Sequence, residues 1–107
     1  MSIFIVRLDH PDEAGWQEWV GPHVEWVREH VAAGTIIASG PSVGTDIRQG
    51  WLVMQAVDES ELRQYLASDP FWQHGIVENL LIVEWDPIFG ELDRLSSSPE
   101  SVPSFGE

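Results

Sequence analysis

An α+β domain with the element order β-α-β-β-α-β is what this 107-residue sequence predicts. Three observations carry that expectation. Short β-rich apolar runs alternate with stretches of helical spacing. Glycine or proline punctuates nearly every junction. Cysteine is absent, so neither disulfides nor thiolate metal sites shape the chain. The order is the split βαβ arrangement of ferredoxin-like folds, an antiparallel sheet with two helices on one face.

Each element follows from its own residues. "IFIVRL" at 3–8 reads as a strand and "DHPDE" as the turn cluster after it. In "GWQEWVGPHVEWVREHVAAG", Trp16, Trp19 and Val20 have helical spacing, but Gly21-Pro22 interrupts it. An interior proline costs about 3 kcal/mol and a proline at the first helical position costs little, so the expectation is a helical turn near 13–20 and a main helix from Pro22. Val24, Val27 and Val31, with His23 or Trp26 beside them, form its apolar stripe, and Gly34 stops it. "TIIASGPSVG" reads as a strand ending at Gly40-Pro41, "GTDIRQG" as a hairpin loop, and "GWLVMQAV" as a strand with both faces covered. Asp58 with Glu61 makes a variant capping box before the stripe Leu62, Tyr65, Leu66. In "SDPFWQHGI", Asp69 caps a short turn that Gly75 ends, and "IVENLLIVEW" is the last strand.

Residues 1–94 are expected to form one domain. Residues 95–107, rich in serine and proline, read as a C-terminal tail, flexible or wrapping on the domain or on a partner subunit. Apolar residues point both ways in every strand, so the sheet face away from the helices calls for a cover. Sheet-to-sheet pairing with a second copy supplies one, giving a homodimer and a dimeric α+β barrel.

Composition narrows the function classes. Eighteen acidic residues face five basic ones, all arginine, for a net charge of −13. Such a surface repels phosphate, so no nucleic-acid partner is expected. The opening residues fit neither a signal peptide nor a membrane span, so a cytoplasmic protein with no membrane partner is the default. The four histidines (His10, His23, His30, His74) lack metal-binding spacing, and "SGPSVG" lacks the lysine and helix of a phosphate loop, so neither a metal nor another cofactor is expected.

Candidate chemistry centres on His23 and Asp69. At the start of the main helix, the helix dipole would favour a neutral His23 ring able to accept a proton. The competing reading is a packed histidine between Trp19 and Val27. Asp69 is either a helix cap or a carboxylate that orients His23, and both hold if one oxygen caps and the other stays free. Trp26, Trp51 and Trp72 are candidate pocket walls, and His74 is a rim residue.

These stretches resemble the YciI-like (YCII-related) family: "IFIVRL", the histidine near the helix start with "EHVAAG" at its end, "IIASGP", "GWLVMQAVDESELRQYLASDPFWQHGI" and "LLIVEW", across roughly residues 1 to 86. The resemblance implies dimeric ferredoxin-like proteins with a histidine and an aspartate, here His23 and Asp69, as an active-site pair. It also implies Ser39, Gly40 and Pro41 lining the same region, with Phe71 as the aromatic after the proline. A related chlorohydroxyquinol dehydrochlorinase and the similar fold of muconolactone isomerase imply proton transfer without a cofactor. One departure is the arginine that the family often carries before the histidine, where this chain has "EWVGPH"; Arg7 or Arg48 would substitute. The expected function is a lyase or isomerase acting on a small cyclic or aromatic-derived molecule. The alternatives are a small-molecule-binding or accessory module using the same pocket, and a subunit of a larger assembly.

Overall fold

A computed structural model describes residues 1–97. In chain order the elements are β1 (Ser2–His10), α1 (Glu13–Ala33), β2 (Ile36–Pro41), β3 (Arg48–Ala56), α2 (Glu59–Ala67), α3 (Pro70–Gln73) and β4 (Glu78–Trp85), followed by a 3-10 turn (Asp93–Leu95). The strands form one antiparallel sheet in the order β2-β3-β1-β4. This is the ferredoxin-like α+β arrangement.

Side-chain alternation along β1 decides which face is buried. Phe4, Val6 and Leu8 point one way, and Val6 and Phe4 lie opposite Leu52 and Met54 of β3. Trp26 of α1 and Leu62 and Leu66 of α2 close over them to make the core. The chain's capping devices hold. Asp58 Oδ1 accepts from Glu61 N (2.9 Å), while Glu61 Oε1 reaches back to Val57 N (3.1 Å). Gly34 ends α1 in the left-handed conformation (φ 81°) that a side chain would strain.

Two expectations about α1 are corrected. The helix does not restart at Pro22 but runs unbroken through it from the Asp12 cap. Pro22 forgoes the bond to the Glu18 carbonyl, at a cost of order 3 kcal/mol. Packing of the helix against β2 and α3 holds it together around that gap, with Pro22 itself exposed. His23 therefore lies mid-helix, where the terminal dipole does not act. The apolar stripe also differs: Trp26 is buried and Val27 packs on the core, whereas Val24 and Val31 are exposed.

Strand ends differ as well. β1 continues through Asp9 and His10, and both are buried, so the turn begins at Pro11. In β2 the register shifts between Ile36, opposite Met54, and Ala38, opposite Val53. That irregularity leaves Ser39 opposite Leu52 and Pro41 opposite Gly50, on the helix side of the sheet.

The second sheet face is open in the single chain. Trp51, Leu81, Val83 and Trp85 are all more than a third exposed, around the pairs Ile5–Val53 and Ile5–Val83. β3, expected to be covered on both faces, is covered on one. Beyond β4, Ser97 donates from its N (3.1 Å) and Oγ (2.7 Å) to the Asp86 carboxylate, and Phe89 is exposed. Most of the predicted tail, residues 98–107, lies outside the described residues. Among the described residues no helix is long and apolar enough to cross a membrane.

Candidate functional site

The α2–α3 junction places Asp69. The residue before a proline is pushed toward extended backbone, and Asp69 adopts it (φ −67°, ψ 128°) as the cap of α3. Its Oδ1 accepts from Phe71 N at 3.0 Å. The same oxygen accepts from His23 Nδ1 at 2.9 Å. Cap and histidine thus share one oxygen, rather than taking one each. Asp69 is 1% exposed and the His23 side chain 17%.

A carboxylate on Nδ1 holds the proton there, so in the neutral ring Nε2 carries the lone pair. Phe71 stacks on the His23 ring, with centroids 4.1 Å apart and planes 18° apart. The neighbouring residue Ser68 ties the junction down from behind: Trp26 Nε1 donates to Ser68 Oγ (2.8 Å), and Ser68 Oγ donates to the Tyr65 carbonyl (2.6 Å).

His23 and Phe71 form one wall of a cavity of about 270 Å³. Trp16, Val20 and Val24 of α1 continue that wall, and Ser39, Gly40 and Pro41 face it from β2. The remaining lining comes from His10 and from Arg48, Gln49 and Gly50 at the start of β3. A second cavity, of about 440 Å³, sits on the open sheet face between Ile5, Trp51, Val53, Trp85 and Leu92, and reaches the far side of the same 38–41 segment.

The structure therefore gathers His23, Asp69, Phe71, Ser39, Gly40 and Pro41 in one place. It does not bring the three tryptophans there. Trp26 points into the core and is held by Ser68. Trp51 lies on the opposite sheet face because β3 alternates, and its Nε1 donates to Gln49 Oε1 (3.1 Å). Trp72 is 39% exposed, one residue past Phe71 on the outer side of a four-residue helix. His74 stacks on Trp19 at the surface (3.4 Å between centroids).

Of the two candidate arginines, Arg48 reaches the cavity. Its Nε and Nη2 donate to Glu13 (3.2 and 3.1 Å), and its guanidinium lies 3.8 Å over the Trp16 ring. Arg7 is on the other sheet face, 3.6 Å from Asp9 Oδ1.

Six lining residues escaped the sequence reading (His10, Trp16, Val20, Val24, Gln49 and Gly50), and of these His10 and Trp16 carry ring nitrogens. His10 is 3% exposed, packs on Phe71 (centroids 4.7 Å), and its Nδ1 lies 3.3 Å from the Ile76 carbonyl. Burial holds its pKa below the usual histidine value, only partly opposed by that carbonyl. Alternation carried two residues beyond Leu8 would have put His10 on the core face. Among the described residues no group of three or more histidines and carboxylates is placed to hold a metal ion.

Chemically, the arrangement offers a histidine whose orientation is fixed by a buried carboxylate, at the edge of a small, mainly apolar cavity with aromatic walls. Comparison with solved structures finds the 5-chloro-2-hydroxyhydroquinone dehydrochlorinase (TftG) of Burkholderia phenoliruptrix AC1100, in complex with 2,5-dihydroxybenzoquinone. The TM-score is 0.66 at 23% identity, over 80% of this chain and 94% of that one, a likeness of fold. Comparison with curated proteins gives no match. The model of the YCII-related domain matches residues 1–86, which include every residue of the His23 cavity. The chain belongs to the YCII-related family.

Proposed function

We propose that this protein is an enzyme of lyase or isomerase type that moves a proton on a small cyclic or aromatic-derived molecule without a cofactor. The observation that carries the reading is the 2.9 Å bond from His23 Nδ1 to a buried Asp69 beside an open cavity. Within the proposal, His23 Nε2 takes a proton from an O–H or C–H of the bound ring. The electron pair released enters the ring. In an elimination from a hydroxylated aromatic ring, His23 returns that proton to the halide-bearing carbon, which becomes tetrahedral. Removal of a second O–H proton then expels the halide and leaves a quinone, with net loss of HX. In an isomerisation His23 returns the proton to a different atom. Asp69 stabilises the imidazolium formed between the two steps.

Supporting the ring-shaped substrate are the Trp16 and Phe71 walls and a volume near the small end of ligand sites, which run roughly 300–1,000 Å³. The fold likeness to a dehydrochlorinase adds precedent for such chemistry on this scaffold. Such a histidine is worth about 10²–10⁴-fold in rate, which suits substrates whose proton is already acidic. Ser39, Gly40 and Pro41 serve as the opposing substrate wall. The working unit is a homodimer in which the Trp51–Leu81–Val83–Trp85 face pairs with a second copy.

The test is incubation with chlorinated and unsubstituted benzenetriols and benzenediols, following chloride release and ring absorbance. Turnover that collapses in His23→Ala supports the proposal. Saturable binding with no turnover assigns the pocket instead to a non-catalytic binding or accessory protein.

A further inference from the structure

The proposal above gives no role to His10, a titratable ring that lines the cavity. A carbonyl oxygen only accepts, so the 3.3 Å contact to the Ile76 carbonyl requires the proton on His10 Nδ1. In the neutral ring, which burial favours, Nε2 is then a bare acceptor. Gly50 leaves the space in front of it clear: a Cβ built there would sit 3.4 Å from His10 Nε2, and Gly50 itself lines the cavity. His23 presents the same form, Nδ1 bonded inward and Nε2 left for the cavity. Both rings lie against Phe71, with centroids at 4.7 and 4.1 Å.

We propose that His10 Nε2 is a second substrate-binding acceptor, and that the cavity selects uncharged rings carrying two hydroxyl donors, one for each histidine. The inference rests on the functional reading above and narrows its substrate class. Two acceptors facing one ring favour a diol over a phenol, and a carboxylate has no donor to give them. The charges agree. Arg48, the cation at the cavity, already has Nε and Nη2 on Glu13, and a chain of net charge −13 repels anions.

The experiment follows the ring nitrogens of His10 and His23 by NMR in the full chain during titration with benzene-1,2-diol, benzene-1,4-diol, phenol and benzoate. Expected are a free His10 in the Nδ1–H form and movement of both histidines with at least one of the diols. Phenol and benzoate should bind at least about tenfold more weakly than the better diol, the worth of one hydrogen bond in a closed site. Gly50→Ala places a methyl over His10 Nε2 at ordinary contact distance, so the fold should persist while diol affinity falls about tenfold. A silent His10 while His23 responds, an Nε2–H tautomer, or benzoate binding as tightly as the diols would overturn the assignment and leave the His23–Asp69 reading standing. If neither histidine responds to any of the four probes, both fail.

Discussion

Asp69 offers a perturbation whose size follows from its contacts. Its Oδ1 accepts two hydrogen bonds in a site that is 1% exposed, one from Phe71 N and one from His23 Nδ1. Asp69→Ala removes the α3 cap, typically about 1 kcal/mol. It also leaves the partly buried His23 Nδ1–H without a partner, a further 1–3 kcal/mol or so. The sum is about 2–4 kcal/mol, or a fall in Tm of about 8–16 °C for a chain of this size. Asp69→Asn is different, because an amide oxygen in the Oδ1 position accepts both bonds and only the charge is lost. Charge-assisted bonds are about twice as strong as neutral ones, so Asn should cost only about 1 kcal/mol. Urea denaturation at fixed protein concentration measures both variants. Asp69→Ala within about 0.5 kcal/mol of the parent, or Asp69→Asn as damaging as Asp69→Ala, would refute the shared-oxygen geometry.

Other outcomes follow from the same contacts. Ser68→Ala leaves Trp26 Nε1 without its 2.8 Å acceptor and should cost about 1–3 kcal/mol, read by thermal denaturation; an unchanged Tm would dissociate Trp26 from the junction. His10, facing His23, Asp69 and Arg48, has a folded pKa below 6.5, so the fold favours its neutral form. Its contribution to stability is then complete above about pH 6.5 and declines as pH falls from there through the lower folded value. NMR titration should find the His10 midpoint under 6.5, and His10→Phe should flatten the stability profile between pH 7 and 5. Val83→Glu puts a charge in the open sheet face and should convert the proposed dimer to monomer in sedimentation equilibrium, and a parent that is monomeric at the outset would remove that proposal.

Much of the fold was legible because most junctions carry their own chemistry. Asp58, Gly34, Asp69 and Gly75 act locally, and each works where its residue type says it should. Pro22 was misleading for the opposite reason. Its local cost argues for a break, and only tertiary packing of α1, which no local pattern reports, decides against one. The His23–Asp69 contact spans 46 positions; residue chemistry offered it as one of two readings of Asp69 and the family resemblance singled it out, whereas His10 was lost to the turn signal of Pro11. The tryptophans show the limit of residue type as a guide. Trp26, Trp51 and Trp72 are large and aromatic alike, but helix phase and strand parity send them to the core, the far sheet face and the surface.

In the proposed function His23, oriented by Asp69, moves a proton on a bound ring. The most direct measurement is kcat for a chlorinated benzenetriol with the parent chain and with His23→Ala, at pH 7.5 and at a protein concentration where both are folded. The parent should release chloride, and the variant should be slower by at least about 100-fold. Equal kcat in the two proteins would contradict it.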